Sequence, residues 1–194
     1  MQKKGFTLVE LLVMLLVLGV LIAVTIPNIS GILKNQRLNK WKADGQNLIE
    51  ITKTYISKKS TTTSNDLIKP GIGECVIFTL DYIDANNDIK TGPNGGSYED
   101  FDSFVVYTKE STGSSSAKWV YYVQLVEDSS EGKVGLKLKK EEKLETIANS
   151  DISNSGLILG LGDNEETSTL SLTNFFNGKE ICTNGIRKYY ARKK

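Results

Sequence analysis

Lys3-Lys4-Gly5-Phe6-Thr7-Leu8-Val9-Glu10 opens this chain, and an apolar run continues from it to Ile26. Two lysines and a glycine stand before a hydrophobic segment of membrane length. Residues 6–26 are 21 residues, about 32 Å of helix at 1.5 Å per residue. One charge, Glu10, lies inside the run, near its start. An acidic side chain at the bilayer centre costs roughly 2.5–3.5 kcal/mol on insertion scales, and less toward the end of the span. A carboxylate in that place needs a partner. One is local: Thr7-Leu8-Val9-Glu10 has capping-box spacing, in which the glutamate bonds back to the N-cap backbone of its own helix.

Other readings of the start fit less well. A secretory signal peptide also has a basic start and an apolar core, and Ala23-Val24-Thr25 is a weak small-x-small site. Glu10, however, falls where that core should be uncharged, and hydrophobicity continues through Ile26 and Ile29 into a helical pattern. A plain membrane anchor fits the length but gives Gly5 and Glu10 no role. Lys3 and Lys4 precede the run, while Lys34, Arg37, Lys40 and Lys42 follow it. The positive-inside rule alone would keep the C-terminal side in the cytoplasm.

Gly5-Phe6-Thr7-Leu8-x-Glu10, with Gly19 and Pro27 downstream, resembles the class III-type prepilin signal of type IV pilins and pseudopilins. The resemblance covers residues 3–30. It implies that a prepilin peptidase cuts between Gly5 and Phe6, that Phe6 is then N-methylated, and that Glu10 becomes the fifth residue of the mature chain. It implies export of the C-terminal side, against the lysine count. Glu10 would pair with the positive N-terminus of Phe6 in an adjacent subunit, an attraction strong where water screening is weak. The partners so implied are other pilin subunits in a homo- or hetero-oligomeric filament, the peptidase, a membrane assembly platform and an ATPase, with the membrane itself as host before assembly. The implied fold is α+β: a long N-terminal helix, hydrophobic in its first half, packed on an antiparallel sheet of three or more strands.

The rest of the sequence can be divided on that frame. Residues 1–5 are the leader, 6–29 the transmembrane and filament-core half of the helix, 30–60 its amphipathic half, and 61–194 an extracellular β-rich head. No polar residue occurs between Leu11 and Val24, the mark of a helix surrounded by apolar material. Pro27 lacks an N–H and crowds the preceding turn, so a kink or local loosening is expected near Ala23, and the resemblance implies loss of helical order over residues 23–31 in the assembled pilus. After Pro27 the pattern turns amphipathic: Trp41, Leu48 and Tyr55 lie seven apart, flanked by Gly45, Ile49, Thr52 and Ile56. That stripe should face a sheet. The helix should end near residues 58–60, where a Ser/Thr/Asn run begins.

In the head, residues 101–109, 118–126 and 133–138 read as three consecutive strands of an antiparallel meander. The second carries large residues on both faces (Trp119, Tyr121, Val123 and Leu125 against Val120, Tyr122, Gln124 and Val126). Such a strand is covered by the helix on one side and partly by loops on the other. Residues 139–149 read as a short charged helix or a loop, 156–162 as a glycine-punctuated apolar stretch, and 168–176 as a further strand. Residues 86–98 form a loop like the helix-to-sheet connection that makes surface contacts in pilins. It lacks the Asp-Pro-Trp-Gly of type II secretion pseudopilins.

Composition narrows the chemistry. The chain has 194 residues, 24 basic and 23 acidic, and no histidine, which removes the usual zinc ligand and general base. No cofactor is expected, nor catalysis by this chain, which is instead the substrate of a peptidase. Cys75 and Cys182 lack metal spacing and leave two options open, a disulfide closing the head or two reduced cysteines, one or both buried. Asp84 to Asp88 begins like a calcium loop, but Ile89 and Gly95 stand where the glycine and the glutamate should be. The basic tail with Tyr189 and Tyr190 could hold nucleic acid through charge and stacking, although such termini are common without that role.

The leading expectation is therefore a structural subunit of a type IV pilus, minor or specialised from the size of its head. The alternatives are a pseudopilin of a type II secretion or DNA-uptake machine, and a membrane-tethered binding module that does not polymerise. The short leader and the Lys, Asn, Ser and Thr content point to a low-GC Gram-positive source.

Overall fold

One helix, α1 (Leu8–Thr62), accounts for 55 residues. The computed structural model describes residues 7–62, 69–84, 89–113 and 116–191, with the backbone alone at 24–28 and 61–62. The chain divides into two compact units, Met1–Arg37 and Leu38–Lys194. The second begins within α1, where the buried stripe starts. Trp41, Gly45, Leu48, Ile49, Thr52 and Ile56 are all buried, repeating every three or four residues as a helix on a sheet requires. Thr52 keeps its hydroxyl satisfied inside this seam by donating to the Leu48 carbonyl at 2.8 Å. At Gly45 an added Cβ would lie 3.5 Å from Val123 and 3.6 Å from Leu136, so the helix backbone rests closely on the sheet.

The remaining elements are β1 (Cys75–Thr79), a short α2 (Leu80–Ile83), β2 (Ser97–Tyr98), β3 (Phe104–Ser111), β4 (Ala117–Ser129), β5 (Gly132–Lys140), β6 (Ile152–Ser153), α3 (Glu165–Phe176) and β7 (Ile186–Tyr190). The sheet runs β6-β5-β4-β3-β1-β7, with β2 added on β4. The expected meander is β3-β4-β5, antiparallel throughout. The whole sheet is mixed rather than antiparallel, because β7 returns parallel to β1. A parallel return requires a crossover, and α3 lies in the connection from β6 to β7.

Both faces of this sheet are covered. Val76, Phe78, Val105, Tyr107, Val123 and Leu125 face α1. Their neighbours Cys75, Ile77, Phe104 and Val106 pack with Leu172 and Phe176 of α3 and with Ile158 and Leu161. Two-sided burial is the reason β4 alternates so poorly from Val120 to Val126, where residues of both faces are buried or half-buried, while Trp119 stays exposed.

One expectation needs correction, and two others can be set beside the structure. Residues 168–176 form the helix α3, not a strand. Asn164 caps it, its Oδ1 accepting from the N–H groups of Glu166 (3.0 Å) and Thr167 (3.2 Å), and Glu165 and Glu166 suit the positive end of the dipole. Ser168, Leu172 and Phe176 are buried at a spacing of four, whereas Leu170 is left exposed. Second, α1 is helical at every residue from 23 to 31 in the single chain, whereas the loss of helical order expected there is a property of the assembled filament. Proline removes one N–H from the helix ladder, and that loss is local. Third, residues 141–146 of the charged segment after β5 form a 3-10 turn, the helical option of the two considered.

Cys75 and Cys182 are bonded, their Cα atoms 5.2 Å apart and 107 residues distant in sequence. The bridge ties β1 to the loop before β7. Chain-entropy reasoning gives such a loop about 4–5 kcal/mol as an upper value.

Candidate functional site

The helix start carries the chemistry singled out in the sequence. Thr7 is its cap, with Leu11 N–H closing the first turn on the Thr7 carbonyl at 3.2 Å. The Thr7 N–H and hydroxyl donate to the same oxygen of Glu10, at 2.9 and 2.8 Å, and Glu10 N–H donates to the Thr7 hydroxyl at 3.3 Å. This is the reciprocal capping box that the spacing allowed. It engages one carboxylate oxygen in two bonds. A carboxylate has about four acceptor sites, so the cap leaves capacity for a cationic partner. Gly5 and Phe6, the expected cleavage and methylation positions, lie outside the described residues. At Pro27 the backbone is described and helical, and nothing is described of its side chain.

From Leu11 to Ala23 the helix offers only apolar surface. Every large apolar residue from Leu8 to Ile22 is more than half exposed, Leu8 reaching 80 %. The exposure follows the helix all the way round, because consecutive residues from Leu11 to Leu18 share it. Covering one such side chain is worth about 1.5–3 kcal/mol. Over a dozen left half-uncovered represent on the order of 10–20 kcal/mol of burial not realised within the chain. Gly19 has nothing within 4 Å of an added Cβ.

Among the described residues, no helix is long and apolar enough to cross a membrane. The described apolar side chains run from Leu8 to Ala23, 16 residues or about 24 Å, short of the roughly 20 residues a span needs. The expected span of residues 6–29 draws its remainder from Phe6 and from 24–28, whose side chains are not described.

The other features noted in the sequence serve the head. Tyr189 is buried and donates to the Gly162 carbonyl at 2.9 Å, and burial pushes its hydroxyl up to about 12. Tyr190 stacks on Phe78 at 5.0 Å, Arg187 pairs with Glu74 and Lys188 with Glu165. The tail's aromatics and two of its cations are thus engaged internally, leaving a stacking platform no exposed ring there. Asp84 is buried and accepts from Ile89 N–H at 2.8 Å, while residues 85–88 lie outside the described set. No group of three metal-binding side chains occurs among the described residues.

Sequence reasoning missed how the loop before β2 is held. Glu127 of β4, fully buried, accepts from the N–H of Asn94 (3.0 Å), its carboxamide (3.0 Å) and the N–H of Gly96 (2.7 Å). At Gly92 a Cβ would fall 2.3 Å from the Glu127 carboxyl carbon, so that glycine makes room for the carboxylate. Tyr98, at the end of this loop, meets Trp41 edge-on at 5.5 Å and donates to Asp44 at 2.7 Å. Burial, with the Asp44 carboxylate behind it, pushes the Tyr98 hydroxyl far up. A glutamate at a strand position gave no signal in the sequence that it would organise a loop some thirty residues away.

Comparison with known proteins gives a family match on the same N-terminal stretch. The description of the prokaryotic N-terminal methylation motif matches residues 1–26. Competence protein ComGC of Bacillus subtilis is 40 % identical over 55 residues, 28 % of this chain and 54 % of that protein. The ComG operon protein 3 homolog of Bacillus licheniformis is 40 % identical over 57 residues, 29 % of this chain and 55 % of that protein. The chain spans about half the length of these curated relatives. No solved structure matches. The chain therefore carries a prokaryotic N-terminal methylation motif at residues 1–26, on an α+β fold of one long helix and a mixed sheet consistent with that of type IV pilins.

Proposed function

We propose that the chain is a structural subunit of a type IV pilus-like filament, held in the membrane by the first half of α1 before assembly and packed through the same surface afterwards. The observation that carries this reading is the apolar surface from Leu8 to Ile22, exposed on all sides of the helix. Lipid and a bundle of like helices are the two surroundings that cover such a surface completely. In this reading prepilin peptidase removes residues 1–5 after Gly5, Phe6 is methylated, and residues 61–194 form the outer surface of the filament. Glu10 passes from its Thr7 cap to the Phe6 amine of a neighbouring subunit, assisted by a membrane platform and an ATPase. The subunit is exported from a Gram-positive cell, and the Bacillus relatives support that source.

A second reading has support of its own. The Bacillus subtilis relative is named a competence protein, which favours a pseudopilin of a DNA-uptake machine over a surface pilus. Deleting the chain in its host separates the two. Lost transformation with surface fibres intact supports the competence reading, and lost fibres with transformation intact supports the pilus.

The pairing role of Glu10 is tested by Glu10→Gln. Glutamine serves a capping box but cannot meet an ammonium as a charge. The variant should insert and be cleaved, yet be missing from filaments. Normal incorporation would leave Glu10 as a cap alone.

A further inference from the structure

Three Asn-Gly pairs occur in the chain, at Asn94-Gly95, Asn177-Gly178 and Asn184-Gly185. Asn-Gly is the dipeptide in which the next backbone nitrogen most easily reaches the asparagine carboxamide, since glycine has no Cβ to obstruct it. The structure treats the three pairs differently. Asn94 gives its carboxamide to Glu127 at 3.0 Å, and Gly95 N–H donates to the Gly92 carbonyl at 3.2 Å. Asn184 gives its carboxamide to the Ile72 carbonyl at 2.7 Å, and Gly185 N–H donates to the Cys182 carbonyl at 2.9 Å. In both pairs the electrophile and the nucleophile are each held in a hydrogen bond.

Asn177 and Gly178 have neither restraint. Asn177 is the C-terminal cap of α3 and is exposed. Its own N–H closes on Thr173, but its carboxamide and the Gly178 N–H make no hydrogen bond among the described residues. Gly178, at φ +76°, is the left-handed residue that ends the helix. Both line a surface hollow with Asn174, Lys179 and Thr183, where water is at hand.

We propose that Asn177-Gly178 is a self-modification site, at which the asparagine hydrolyses to aspartate or isoaspartate. The Gly178 nitrogen forms a bond to the Asn177 side-chain carbonyl carbon. The carbon–nitrogen bond to the amide nitrogen breaks, and that nitrogen departs as ammonia with the proton released by Gly178. Water then opens the five-membered imide at either carbonyl. The net change consumes one water, releases ammonia and adds one negative charge. The segment is anchored on both sides, by buried Phe176 and by the Cys182 bridge. The extra backbone methylene of isoaspartate is therefore absorbed between them, and the fold persists with an altered surface charge.

The test follows the full chain in detergent micelles at mildly alkaline pH, with amide-to-acid conversion read at each site by peptide-resolved mass spectrometry. Two hydrogen bonds restrain each of the other pairs, so Asn177 should convert roughly tenfold faster or more than Asn94 and Asn184. A parallel sample, reduced and held in guanidinium, should bring the three rates together, because all are Asn-Gly once the fold is gone. Gly178→Ala should suppress conversion at Asn177 in both samples. Conversion at Asn177 no faster than at Asn94 or Asn184 in the folded chain overturns the proposal, as does a lead that survives unfolding.

Discussion

The two halves of α1 are continuous in backbone and opposite in pattern. From Leu8 to Ile22 the apolar residues are exposed all round. From Trp41 to Ile56 they are confined to one stripe, buried on the sheet. The later half has its own core within the chain, and its polar faces make local pairs such as Lys40 with Asp44 at 2.9 Å. Among the described residues the earlier half packs on no core, and it carries the Thr7–Glu10 box at its tip. Helicity alone therefore says little about use. Whether apolar residues repeat at three and four or run unbroken decides whether a helix folds its own domain or joins something outside it.

Substitutions should separate the halves. Leu15→Lys, in the unbroken run, should remove filament incorporation altogether, since a charge near the middle of the apolar surface suits neither lipid nor a helix bundle. The same variant should leave the thermal midpoint of the 38–194 unit unchanged. Incorporation at normal levels would erase the distinction. Trp41→Ala should do the reverse. It empties a fully buried site against Tyr98 and should cost the head about 3–5 kcal/mol in denaturant unfolding, while cleavage of the leader persists.

The same contrast explains what could be read from the chain before its structure. The Trp41–Leu48–Tyr55 spacing was legible because three residues, each about two turns from the next, repeat one face, and the Thr7–Glu10 cap because it is local. β1 was not legible: Cys75 to Thr79 are all buried and so show no alternation. β7 was hidden in a basic tail, since its place beside β1, with Ile77 opposite Tyr189, joins residues more than a hundred positions apart. α3 misled because Leu170 and Leu172 alternate like a strand, while the Asn164 cap that decides the matter precedes them. Glu127 was invisible as an organiser for the same reason as β7: its partners are distant in sequence and its side chain carries no motif.

Smaller effects sharpen the comparison further. The Glu110 carboxyl is raised by burial but held below its ordinary value overall by hydrogen bonds from Lys140 and Tyr122. Glu74 is held down by the Gly71 N–H and by Arg187. A depressed carboxyl contributes stability above its unfolded pKa and loses it as pH falls through the folded value. The head's thermal midpoint should therefore decline below about pH 4.5. With no histidine, it should stay flat between about pH 6 and 8. A step in that upper range would contradict the assignment. Thr7→Val removes the hydroxyl of the cap and should cost the helix start about 1 kcal/mol. That is visible as faster amide exchange over its first turn, with the head's exchange unaltered.

The central claim, that α1's first half is a processed assembly surface, is tested most directly at the N-terminus. The measurement is mass spectrometry of the N-terminal peptide from protein in sheared surface fibres and in membranes. The account predicts a peptide beginning at methylated Phe6 in the fibres. A peptide retaining Met1, or one beginning near Pro27, would contradict it, because the apolar half would then be an ordinary anchor or a discarded signal.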